Sequence, residues 1–176
     1  DATADDDDAT ADDDDATADD DDATADDDDA TGDDDDSAVE PLVCIDDVFE
    51  DNDSAASPLS IAAGSYSNLA ACPSDDDYYA FAMNAGETLD VDLTFSNAEG
   101  DIDLYVYDPA GTLVAFSLST DDDESASYTA SGSGSHLVRV TLYADAGALP
   151  GNTYGMDASV TVPAVCVDDA LEDNDT

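Results

Sequence analysis

Tryptophan is absent from this chain of 176 residues, lysine and arginine together number 1, and histidine appears once. The lone base is Arg139 and the lone histidine is His136. Against them stand 48 acidic residues, a formal net charge of −47 at pH 7. Phosphate backbones are repelled by such a chain, which excludes nucleic acid as a partner, and anionic membrane surfaces are disfavoured for the same reason. No apolar run is long enough to span a bilayer, so no membrane insertion is expected in this stretch. A serine hydrolase would need His136 and a Gly-x-Ser-x-Gly elbow, and the elbow is missing. A glycosidase pair would sit poorly without a tryptophan sugar platform. The chain is therefore read as not an enzyme. What the charge favours is cations: calcium, magnesium, basic proteins or mineral surfaces.

What is present is a repeat. Val43 to Ser54 reads VCIDDVFEDNDS, and Val165 to Thr176 reads VCVDDALEDNDT. A repeated dodecamer implies a repeated unit. The expected organisation is a low-complexity acidic spacer over 1–40, one full module over 41–162, and the start of a second, truncated repeat over 163–176. On that reading, and with no initiator methionine, the chain is a fragment open at both ends. The cysteines fit the same scheme. Cys44 opens the first module, Cys166 opens the second, and Cys72 lies inside the first. A Cys44–Cys72 disulfide is expected, pointing to an oxidising, extracellular or bacterial cell-surface location. Its stabilisation is about 3 kcal/mol in the chain-entropy model. Zinc is the weaker alternative, because there is no Cys-x-x-Cys pair.

Residues 1–40 repeat the unit ATADDDD every seven residues. Period seven invites a coiled coil, but alanine is the only apolar residue offered to a seam, and four adjacent like charges repel at every helical spacing. The segment cannot bury enough apolar surface to offset its ordering entropy and is expected to be disordered. A stalk, a low-affinity calcium buffer, an O-glycan carrier and an adaptation to high salt are its competing roles.

From Pro41 the texture changes. Leu89, Val91, Leu93 and Phe95 alternate with Asp90, Asp92 and Thr94. Ile102, Leu104 and Val106 alternate with Asp103 and Tyr105, and similar runs cover Tyr79 to Met83, Leu113 to Leu118, Leu137 to Tyr143 and Tyr154 to Val162. Period two marks strands with one buried face. Asn84 to Gly86, Asp108 to Gly111 and Ser131 to Gly134 supply turns. No segment carries a helical stripe. The predicted fold is all-β, an antiparallel, jelly-roll-like β-sandwich of seven or more short strands.

The ordered pieces Asp47-Val-Phe49-Glu50-Asp51-Asn52-Asp53-Ser54, Asp75-Asp-Asp77-Tyr78-Tyr79-Ala-Phe81, Ala85-Gly86-Glu-Thr-Leu89, Asp101-Ile-Asp103-Leu104-Tyr-Val-Tyr107-Asp108 and Gly134-Ser-His136-Leu-Val-Arg139-Val140 resemble the bacterial pre-peptidase C-terminal domain. The resemblance spans about residues 43–162. It implies a non-catalytic β-sandwich found beside secreted peptidases and in tandem on surface proteins. There are departures: Asp51 replaces a usual proline, Tyr78 a common tryptophan, and His136 an aromatic, which makes His136 a replaced strand residue.

The acidic opening is the foremost candidate site. Glu50, Asn52 and Asp53 place three oxygen-bearing side chains within four residues, and Asp47 adds a fourth. Calcium takes six to eight oxygens of this mixed kind. The resemblance, through similar collagen-binding modules whose acidic linker holds calcium, implies Glu50, Asn52, Asp53 and one of Asp75 or Asp77 as ligands. The competing reading is that these residues cap turns. Asp101 and Asp103, two apart on a strand, read as a solvated face or turn caps. Tyr105, Tyr107 and Tyr143 are candidates for an exposed aromatic patch that would take an extracellular protein or polysaccharide.

Overall fold

The computed structural model describes residues 41–164. The expected spacer of 1–40 and the repeated dodecamer at 165–176 lie outside the described residues. Nine strands follow one another: β1 (Leu59–Ser60), β2 (Gly64–Ala71), β3 (Asp77–Met83), β4 (Thr88–Thr94), β5 (Gly100–Tyr107), β6 (Leu113–Ser117), β7 (Glu124–Thr129), β8 (Gly134–Asp145) and β9 (Asn152–Thr161). One sheet has the order β1-β3-β8-β5-β6 and the other β2-β9-β4-β7. Every pairing is antiparallel except β1 with β3. The result is an all-β, sandwich-like fold.

Each alternating run puts its apolar set into the space between the sheets. Leu89, Val91 and Leu93 of β4 face Ile102, Leu104 and Val106 of β5, Val138 and Val140 of β8, and Tyr79 and Phe81 of β3, all of them buried. Removing that apolar area from water is the main driving force, at about 25 cal/mol per Å². Two strands carry a weaker signal. The β2 sequence GSYSNLAA and the β7 sequence ESASYT are rich in serine and alanine, so packing against β9 and β4 defines them more than their own hydrophobicity does.

Register makes the two outer faces different. On the five-stranded sheet Tyr78 lies opposite Arg139, Arg139 opposite Tyr105, and Tyr105 opposite Phe116. The Arg139 guanidinium lies 5.1 Å from the centre of the Tyr105 ring, and its Nε donates to Asp76 at 2.9 Å. On the four-stranded sheet Ser65 lies opposite Asp157, Asp157 opposite Asp92, and Asp92 opposite Ser125. Asp101 pairs with Ala144 and Ile102 with Leu142, which leaves Tyr143 as the extra residue of a bulge.

Two local devices fix the ends. The Asp108 carboxylate accepts from the Ala110 and Thr112 amides at 2.9 and 2.8 Å, closing the β5–β6 turn, where Gly111 takes φ +79°. A disulfide joins Cys44 to Cys72, with Cα atoms 5.7 Å apart, and ties the entry segment to the end of β2. Gly151 passes directly over it at φ +89°, where a Cβ would overlap Cys44 Sγ.

Candidate functional site

The disulfide brings the acidic opening alongside the turn that leads into β3. Carboxylate oxygens of Glu50, Asp53 and Asp75 all lie within 4.8 Å of one another there. Two of these groups come from the entry segment, and the third comes from the turn after Cys72. Asn52, between Glu50 and Asp53 in the chain, is buried at 2% exposure. Its carbonyl accepts from the Tyr78 amide at 3.0 Å, and its Nδ2 donates to the Tyr78 carbonyl at 3.4 Å. Its Oδ1 is buried with no hydrogen-bond partner. A buried acceptor without a partner is costly, and either a donating water or a cation would satisfy it.

The electrostatics point the same way. Glu50 is pushed up to about 7, first by burial and then by the Asp75 charge, with Asp47 and Asp46 adding to it against a backbone hydrogen bond from Asn52. Asp75 is raised by burial and by the charges of Asp53, Asp46, Asp76 and Asp51. Like charges confined together favour the protonated form of some of them, or a bound counter-charge.

The other two expected ligands have different partners. Asp47 accepts from the Phe49 amide at 2.8 Å through Oδ1 and from the Ala70 amide at 3.0 Å through Oδ2. Turn capping thus falls to Asp47, which pins the entry segment to β2. Asp77 shares the inward parity of Tyr79 and Phe81 and is buried at 3% exposure. The Tyr154 hydroxyl donates to Asp77 Oδ2, and the Tyr79 and Tyr154 hydroxyls lie 2.8 Å apart. Burial pushes Asp77 up to about 8, opposed by the Tyr154 hydrogen bond and reinforced by the charges of Glu50, Asp47 and Asp75. The expected ligand carboxylates that the structure brings together are Glu50, Asp53 and Asp75.

Asp103 departs from the reading as a solvated or turn-capping residue. It is buried at 5% exposure and accepts from the Tyr105 hydroxyl at 2.9 Å. The reason is that Tyr105 and the Arg139 row cover the outward face of β5 at that point. His136 is fully buried, its ring 5.7 Å from that of Tyr128, as suits a residue in an aromatic's place on β8. Sequence reasoning missed Glu124, buried at the start of β7. The available signal was its parity with Ala126, which faces inward.

Residues 75–142 match the model of the family described as the bacterial pre-peptidase C-terminal domain. The match begins at Asp75, so Asp47, Glu50, Asn52 and Asp53 lie outside it. Among solved structures, the chain is similar to the pre-peptidase C-terminal domain of collagenase from Bacillus anthracis, at 16% identity, covering 58% of this chain and 94% of that one, with a TM-score of 0.48. It is also similar to PliG, a periplasmic inhibitor of g-type lysozyme from Aeromonas hydrophila, at 15% identity, covering 58% of this chain and 96% of that one, with a TM-score of 0.43. No curated protein matches the sequence.

Proposed function

We propose that residues 41–162 form a non-catalytic, calcium-stabilised extracellular module of a surface or secreted protein that repeats it in tandem, acting as a spacer and as an adhesive or substrate-binding unit. The observation that carries the calcium reading is the convergence of Glu50, Asp53 and Asp75, in a segment that also holds the buried, unpartnered Asn52 Oδ1. Calcium bound there neutralises the crowded carboxylates and fixes the backbone that enters the module. The related dodecamer Val165 to Thr176 carries Glu172, Asn174 and Asp175 at the positions of Glu50, Asn52 and Asp53, which supports reading a row of modules that calcium would stiffen.

The binding role rests on the outer face of the five-stranded sheet. Tyr78, Tyr105 and Phe116 flank Arg139, the one base of the chain, in a single row across four strands, with Phe116 59% exposed. Aromatic rings around a cation suit an extracellular protein or polysaccharide. A second reading, favoured by the family match, is an accessory domain of a secreted peptidase or other hydrolase whose catalytic part lies elsewhere in the protein.

Calorimetric titration with calcium, paired with melting in calcium and in EDTA, tests the calcium reading. A stoichiometric site with a raised melting temperature supports it. Weak, many-site binding without stabilisation removes it.

A further inference from the structure

Four strands lie at sheet edges: β1 and β6 bound the five-stranded sheet, and β2 and β7 bound the other. An open edge is a template for another chain, and proteins blunt it with short strands, charge, proline or bulges. β1 has only 2 residues. β2 is broken by a bulge between Tyr66 and Leu69. β7 exposes no large apolar side chain, and its Ser125 and Ser127 are bonded to aspartates of β4. β6 is different. Leu113 to Thr120 reads LVAFSLST, without charge, glycine or proline, in a chain with 48 acidic residues. Leu113, Phe116 and Leu118 are exposed. Leu113 lies opposite Tyr107 and Phe116 opposite Tyr105, so both stand on the outer face. The one defence is a bulge at Val114, near the start of the strand. Beyond its pairing with β5, no backbone hydrogen bond reaches Leu113 to Ser117 among the described residues.

Charge decides what can fill this edge. At one end lies Asp108, whose amide donates to the Thr112 carbonyl at 2.9 Å. The Thr112 amide, with that of Ala110, holds the Asp108 carboxyl below its ordinary value, so it stays ionised. At the other end come Asp121, Asp122 and Asp123, all exposed. A second copy of β6 would bring like charges together in either direction, because both ends of the strand are acidic. The stretch 1–40 has no base and is repelled in the same way. We propose that β6 is a docking edge for an extended segment of another protein, uncharged at its centre and carrying lysine or arginine at both ends. The segment adds as a further strand, its backbone bonding to β6 and its basic ends meeting Asp108 and Asp121 to Asp123. This deepens the binding reading of the five-stranded sheet and rests on it through the shared Phe116.

The test is amide NMR and hydrogen exchange of the full chain at physiological salt. The probe is a capped nonapeptide with a Thr-Val-Thr-Val-Thr centre and two lysines at each end. A second peptide of equal charge has prolines in the centre, which removes the amide donors a strand needs. A third has glutamates at both ends. The expected result is saturable shifts and exchange protection of the Val114 to Ser117 amides with the first peptide alone. Leu113→Lys with Leu118→Lys, both at exposed positions, should weaken that binding by at least about tenfold, equivalent to about 1.4 kcal/mol, with the melting temperature unchanged. Tyr78→Ala, at the far end of the aromatic row, should leave it in place. Equal binding of the proline peptide would reduce the effect to general attraction by an acidic chain and overturn the proposal. So would equal binding of the glutamate peptide, or β6 amides that stay unmoved. Shifts confined to Tyr78, Arg139 and Tyr105 would keep the aromatic row as a binding face while removing the edge.

Discussion

Two groups of three carboxylates in this module are built on opposite principles. On the outer face of the four-stranded sheet, Asp90, Asp92 and Asp157 each accept from a serine on a neighbouring strand: Ser127 at 2.5 Å, Ser125 at 2.6 Å, and Ser65. Glu50 and Asp53 of the entry segment converge with Asp75 instead, and the amide oxygen of the intervening Asn52 is buried without a partner. The first group is a strand face with its own donors and open water beside it. The second is confined by a disulfide, and within it Glu50 and Asp75 are raised by burial and by neighbouring negative charges. A high count of acidic residues therefore says little about where a cation binds. What distinguishes a site is crowding together with a deficit of donors.

The comparison can be broken most severely at the disulfide. Cys44→Ser with Cys72→Ser should cost about 3 kcal/mol of stability by urea denaturation. It should also weaken calcium binding at the entry segment, because Glu50 and Asp53 are then no longer held against Asp75. Hydrogen exchange in the serine–aspartate face should be altered only through global stability.

The next largest effect is calcium removal. At a calcium concentration about 100 times the dissociation constant, the ion stabilises by about 2.7 kcal/mol, which is a shift of roughly 10 °C for a domain of this size. Glu50→Ala with Asp53→Ala should abolish most of that shift. Asp92→Ala with Asp157→Ala should leave it in place.

The pH dependence sharpens the contrast further. Glu50 and Asp77 are raised to about 7 and about 8 in the folded state, above their ordinary values of 4.5 and 3.8. The folded state therefore binds more protons than the unfolded state across that window, and stability is lost as pH rises. In EDTA the protein should be more stable at pH 5 than at pH 8 by chemical denaturation. Asp77→Asn should flatten the slope. Calcium should restore stability at pH 8, since it replaces the protons as counter-charge.

The smallest effect belongs to the exposed face. Ser125→Ala or Ser127→Ala should change stability by no more than about 0.5 kcal/mol, because the carboxylate left behind is solvated. A melting curve in EDTA checks this.

Much of the scaffold was legible before any coordinates. Leu89, Val91 and Leu93 announce a strand because period-two hydrophobicity has few other causes, and Cys44 and Cys72 bracket the acidic motif closely enough to suggest their bond. Other features needed the third dimension. β2 and β7 are too rich in serine and alanine to declare a buried face. Asp77 and Asp103 look alike in sequence as acids beside aromatics, yet one points between the sheets and meets Tyr154 while the other lies under Tyr105 on the outer side. Asp47 reads as a ligand by spacing, but backbone amides claim both its oxygens. Local spacing identifies oxygen donors; only register and packing decide which of them are left without partners.

The measurement that tests the central claim most directly is calorimetric calcium titration of the full chain beside its Glu50→Ala, Asp53→Ala double variant, each also melted in calcium and in EDTA. The account predicts a saturable site in the wild type that the variant lacks, together with loss of most of the calcium-dependent rise in melting temperature. Equal affinity and an equal rise in both proteins would contradict it, and would return Glu50 and Asp53 to the role of polar residues on an entry turn.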